Sequence, residues 1–145
     1  MKHKKLWIVI AAVLLAVLLA GYIWWYMPTR FLKNADPAEV AQIKVFNGTT
    51  GQSFTIGERE DIEYIVSKIS DVKMRKVEYS HVDGFVYSIS FYGADGERID
   101  GFVLNGETIR DGAIKYEIAY ETYEDPLCFE YIKALEEAQQ NHPTE

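Results

Sequence analysis

The chain has 145 residues, 48% of them hydrophobic and 26% charged, with 22 Asp and Glu against 15 Lys and Arg for a formal charge of −7. A chain of this size holds one domain with a real core and not two. The single cysteine, Cys128, excludes an intramolecular disulfide, and the acidic balance argues against nucleic acid as a partner, because such a field repels a phosphate backbone.

Lys2, Lys4 and Lys5 open the chain, and the stretch from Leu6 to Met27 then runs without a charged residue. A helix over that stretch is about 33 Å long at 1.5 Å per residue, enough to cross a hydrocarbon core of about 30 Å. Trp7 stands at one end and Trp24, Trp25 and Tyr26 at the other, where amphipathic rings settle at headgroup level. The expected organisation is a cytoplasmic stub over 1–5 and a transmembrane helix over 6–27 that meets the lipid bilayer. Short basic flanks stay on the cytoplasmic side, so the protein is expected to be single-pass in the cell membrane, N-terminus inside and everything from Pro28 extracytoplasmic. Cleavage as a signal peptide is not expected, since Leu18 or Leu19 would occupy the −3 position where small residues are needed. Leu18-Leu19-Ala20-Gly21 has the look of a lipobox, but Tyr22 stands where the lipidated cysteine would be.

After residue 27 lie 12 of the cations and all 22 carboxylates, a formal charge of −10, together with eight tyrosines and seven phenylalanines to build the core. Residues 28–36 read as a juxtamembrane linker, 37–138 as an extracytoplasmic domain and 139–145 as a flexible tail, with residues from 34 onward expected to fold without the anchor. Ile43 and Val45, the turn residues Asn47-Gly48, and then Phe54 and Ile56 predict a first hairpin. Asn47-Gly48-Thr49 also matches a glycosylation acceptor, although the turn accounts for it without further assumption.

From Glu58 to Ser70, Ile62, Ile65, Val66 and Ile69 recur at helical period, with Glu58, Glu60 and Asp61 crowding the positive end of the helix dipole and Lys68 near its other end. Strands are predicted at about 72–79, 84–92, 98–104, 108–110 and 113–120, joined by short Gly-containing turns. Short links force antiparallel neighbours, so a meander is expected. Phe85, Tyr87, Ile89 and Phe91 share one face of their strand, as do Ile114, Tyr116, Ile118 and Tyr120 of the last. Asp125 as N-cap and Pro126 at the first helical position predict a final helix with a stripe of Leu127, Cys128, Tyr131, Ile132 and Leu135. The fold class is therefore α+β: a transmembrane helix, then an antiparallel meander sheet with two amphipathic helices packed on one face.

Chemistry-bearing residues are sparse. Of the histidines only His81 lies within the domain, too few for a His-based metal site or a Cys-His pair. Ser80, His81 and Asp83 are triad residue types, but they crowd one turn, whereas a working triad converges from distant segments. Cys128 on an apolar stripe reads as a small buried hydrophobe. Lys73, Arg75 and Lys76 form a basic patch of a kind that can take an anion or an acidic partner but most often belongs to a solvated strand guarding a sheet edge. No catalytic, cofactor or metal site is expected, and a partner is expected to meet the wet face marked by Ser88, Ser90, Lys115 and Glu117.

The basic stub and apolar anchor, the segment Ile43-Lys44-Val45-Phe46-Asn47-Gly48-Thr49-Thr50-Gly51, the helix from Asp61-Ile62 to Ile69, and the run Tyr87 to Gly96 together resemble uncharacterised membrane-anchored or lipoprotein-type extracytoplasmic proteins of Gram-positive bacteria. The resemblance implies a cell-envelope location and no assigned activity. The expected function is a non-enzymatic binding or accessory module that meets an envelope or membrane protein. A small-ligand or cation sensor and an envelope enzyme are the alternatives.

Overall fold

A computed structural model describes residues 2–79, 86–120 and 124–141. It is α+β: an N-terminal apolar helix, α1 (Lys2–Tyr26), then strands β1 (Val40–Asn47) and β2 (Ser53–Ile56), helix α2 (Arg59–Asp71), strands β3 (Met74–Tyr79), β4 (Tyr87–Gly93), β5 (Arg98–Asn105), β6 (Thr108–Asp111) and β7 (Ile114–Ile118), and helix α3 (Phe129–Asn141). The seven strands form one antiparallel sheet in the order β2-β1-β4-β5-β6-β7-β3. α1 is long and apolar enough to cross a bilayer, with a mean hydropathy of 2.8 and none of that stretch buried. Pro28 stands two residues past its end and cannot prolong it.

The predicted first hairpin is present, with Ile43 opposite Ile56 and Val45 opposite Phe54. The meander is confined to β4 through β7, whose links need little space because Gly106 and Gly112 take φ of 57° and 58°, open to glycine at no steric cost. β3 departs from the expected meander. It pairs with β7 at the far edge and leaves β4 to β1, so that Val45 faces Ile89 and Met74 faces Ile118. Short connections set neighbours only where the chain turns back at once, and residues 80–85 between β3 and β4 lie outside the described structure, as do Phe85 and the turn holding Ser80, His81 and Asp83.

One side of the sheet is dry. Ile43, Val45, Tyr87, Ile89, Phe91, Phe102, Leu104, Ile109 and Tyr116 all point there, and Ile62, Ile65, Val66 and Ile69 of α2 with Ile132 of α3 belong to the same buried cluster. The period-two pattern therefore reads correctly in β4, while in the last strand Tyr116 is buried, Ile114 and Ile118 are half-buried, and Tyr120 lies past the strand and is 60% exposed. α2 lies against β1 and α3 against β2.

The C-terminal helix starts three residues later than a cap at Asp125 predicts. Asp125 has φ of 49° and Cys128 of 57°, so the chain makes a turn through Pro126 and Leu127 before α3 begins. Asp125 still acts as a cap at a distance, its carboxylate accepting the N–H groups of Glu130 and Tyr131 at 3.0 Å each. α3 also runs through Gln139, where a flexible tail was expected, and Gln139 Nε2 donates to the Thr55 carbonyl of the β2 edge at 3.0 Å.

Residues 28–36 are stitched into the domain. Thr29 and Met74 exchange two backbone hydrogen bonds of 2.7 Å, Leu32 is 4% exposed, and Phe31 packs edge-on against Phe102 and Tyr116. Leu32 also holds a φ of 55°, a left-handed conformation that its burial must offset. A soluble domain beginning at Asn34 loses Phe31 and Leu32, so it should unfold at a lower urea concentration than one beginning at Pro28. Leu32→Ala in the longer form should cost about 2–5 kcal/mol, the usual range for emptying a buried Leu site, whereas Ser88→Ala should shift stability by at most about 0.5 kcal/mol.

Candidate functional site

The side of the sheet opposite the core is assembled by strand register. Ser53, Phe46, Ser88, Val103, Arg110, Lys115 and Val77 stand opposite one another in turn from β2 to β3, and Thr55, Lys44, Ser90 and Gly101 form a parallel row. A third row joins Thr108, Glu117 and Arg75. The four residues expected from the sequence, Ser88, Ser90, Lys115 and Glu117, thus do lie on one face, and Lys115 Nζ sits 3.5 Å from Glu117. None of the residues in these rows is buried; Ser88, Ser90, Lys115 and Glu117 are half-exposed and Phe46 is 38% exposed.

The charge of this face is the reverse of the domain's. Lys44, Arg75, Arg98, Arg110 and Lys115 lie on it, against the carboxylate of Glu117. Arg98 reaches the face because β5 has no side chain at Gly101: a Cβ there would collide with the Arg98 guanidinium and stand 2.8 Å from the Ile89 carbonyl oxygen. Lys44 lies over the Tyr92 ring at 4.8 Å, leaving a surface of cations set among Phe46, Tyr92 and Val103. Asp100 and Asp111 alternate to the other side, and α2 and α3 carry seven further acids.

A buried carboxylate on the dry side was not among the expected site residues. Glu136 is 6% exposed and accepts hydrogen bonds from Asn47 Nδ2 at 2.9 and 3.0 Å and from the Tyr87 hydroxyl at 2.7 Å. Asn47 in turn accepts the backbone N–H groups of Thr49 and Thr50, so one amide closes the hairpin and clamps α3. Burial, followed by the hydrogen bond to Glu136, holds the Tyr87 phenol well above its ordinary value. Such a network ties three segments far apart in sequence and occupies the Asn47 amide internally. The signal was available: Glu136 falls one turn beyond Ile132 on the apolar stripe of α3, where a charge needs partners.

The remaining candidates are structural. Cys128 has 0% exposure, and burial, reinforced by Asp125, pushes its thiol up to about 12. Asp61, one of the acids at the start of α2, accepts a 2.6 Å hydrogen bond from the Tyr131 hydroxyl, which lifts that phenol to about 12 and fastens α3 to α2. Among the described residues no group of three or more His, Cys, Asp or Glu is arranged to hold a metal ion.

At the exit of α1, Lys76 Nζ stands 5.2 Å from the Trp24 ring and 4.6 Å from that of Trp25. Trp7 and Tyr26 are exposed on α1, as are Lys4 and Lys5 at its start. No protein-family model, curated protein or solved structure matches the chain at a significant level.

Tyr87→Phe removes one of the donors to the buried Glu136 carboxylate and should cost about 1.5–3 kcal/mol in urea unfolding, the range for a hydrogen bond to a charged group. Cys128 should resist a disulfide reagent in the native protein and react at once in denaturant. Because its folded pKa lies above the unfolded value of 9.0, its contribution to stability is complete below pH 9.0 and disappears as pH rises towards about 12, which unfolding curves across that window will register.

Proposed function

We propose that the chain is a membrane-tethered, extracytoplasmic and non-enzymatic binding or accessory module, whose cationic sheet face meets an acidic surface of a protein in the same envelope. On this reading α1 spans the cell membrane once with its N-terminus in the cytoplasm, and α2 and α3 together cover the dry side of the sheet, leaving the other side for the partner. One observation supports the reading above the rest: five cations and half-exposed aromatic and aliphatic groups share a sheet face, although the domain as a whole carries a charge of −10. A reversal of sign confined to one face steers an acidic partner to it and turns like-charged surfaces elsewhere away. Aromatic and Arg side chains are the types that anchor interfaces.

The test is photocrosslinking from Ser90 in cells that make the full-length protein, with Gln139 on α3 as the control position. A discrete adduct is expected from Ser90 and not from Gln139, and it should disappear in the double variant Arg110→Glu, Lys115→Glu. Adducts of equal yield from both positions, or an adduct indifferent to the charge reversal, would reject the sheet face. Reproducible turnover of a substrate by the purified protein would reject the non-enzymatic part.

A further inference from the structure

We infer that a basic pocket at the exit of α1 binds the phosphate of an anionic lipid headgroup, so that the domain is held to the membrane surface by its fold as well as by its anchor. The inference rests on the reading of α1 as a membrane span. A cavity of about 390 Å³ opens between the end of the anchor and the domain, lined by Met27, Pro28, Thr29, Arg30, Lys33, Lys73 and Tyr120. Three of those residues are cations and none is a carboxylate. Arg30 and Lys33 come from the segment leaving the anchor, whereas Lys73 precedes β3; they meet because Thr29 pairs with Met74.

The pocket's height relative to a bilayer follows from its neighbours. Trp24 and Trp25 are headgroup-level residue types, and Lys76, two residues beyond Met74 on β3, sits over both rings. The start of β3 and the cavity beside Met27 therefore lie where lipid phosphates are. Lys73 is spread over the exposed Tyr120 ring at 5.7 Å, which places its ammonium at the cavity wall. Among the described residues the ion pairs are Arg59 with Glu63, Lys115 with Glu117 and Lys133 with Glu130, so no carboxylate within 4.0 Å neutralises Arg30, Lys33 or Lys73. Arg30 and Lys33 also line a second cavity, and there Asp100 and Asp111 oppose them. In a domain with 22 acids against 12 cations, three cations around one cavity, none of them ion-paired among the described residues, are a site for an anion fixed at that level. Arg offers a planar fork to phosphate oxygens and the two lysines add point charge.

The full-length protein in nanodiscs of phosphatidylcholine with a minor share of phosphatidylglycerol supplies the test. Either lipid is spin-labelled in turn, and the immobilised fraction gives the preference of the protein for each. Phosphatidylglycerol should be preferred, and the triple variant Arg30→Gln, Lys33→Gln, Lys73→Gln should reduce that preference by at least about threefold, as expected from losing several cations near a charged surface. Lys2, Lys4 and Lys5 remain in every variant and set the residual preference; Lys133→Gln, far along α3, should leave the full value. An unchanged preference in the triple variant overturns the inference. So does displacement of the label by inorganic phosphate beyond that produced by chloride at equal ionic strength, which would assign the pocket to a soluble anion. Resistance to alkaline carbonate extraction reports separately on the anchor: a chain that resists extraction yet shows no dependence on these cations retains the span and loses the headgroup site, whereas an extracted chain loses both.

Discussion

The pairing of β1 with β4 is the contact on which the domain's single core depends. Ile43 against Phe91 and Val45 against Ile89 join the N-terminal hairpin to the four-strand meander, and the side-chain alternation of both segments must agree for this to occur. A slip of one residue would turn Lys44 and Phe46 inward and Ile43 and Val45 outward, so burial fixes the register strongly. Asn47 opposite Tyr87 closes the end of that joint, and both side chains serve Glu136. A buried carboxylate is costly where unpaired, and this one makes the position of α3 conditional on the hairpin being correctly seated against β4.

The same alternation separates charge as well as polarity. Once the core residues of the strands have gone to one side, Lys44, Arg75, Arg98, Arg110 and Lys115 are collected on the other, while α2 and α3 carry seven of the carboxylates. An acidic protein thereby acquires one basic side from cations that are mostly far apart in its sequence. Lys44, Arg98, Arg110 and Lys115 come from four strands, and Arg98 joins them through the space that Gly101 leaves. The edges of the sheet are also managed: Gln139 reaches the β2 edge and Thr29 bonds to β3, which limits pairing with foreign strands.

Much of this was legible in the sequence because it depends on period. Ile62, Ile65, Val66 and Ile69 declared α2, and Tyr87, Ile89 and Phe91 declared the inward face of β4. What the pattern did not contain was strand order, since β3 is equally amphipathic whether its neighbour is β4 or β7, and only long-range packing selects between them. The segment before Pro37 looked like a linker because two isolated side chains, Phe31 and Leu32, have no period to reveal them. The start of α3 was displaced because Asp125-Pro126 is a good helix opening locally, and burial of Leu127 and Cys128 in the preceding turn overrode it. For the site, the residue types of the wet face were readable, but its cationic character was not, because that requires the register of every strand at once.

The placement of β3 also governs the order in which the fold can be completed as the chain is made. A ribosome releases Thr29, α2 and β3 long before it releases β7, and β1 likewise waits for β4. β3 must therefore wait for β7 and the free side of the β1–β2 hairpin for β4, and the closing of long loops makes such sheets slow to form. During that interval Met74 and the apolar residues of β1 stand open, the period in which a nascent strand edge is most exposed to aggregation. Lys73, Arg75 and Lys76 are charges of the kind that keep an unpaired strand solvated until Ile118 can pair with Met74.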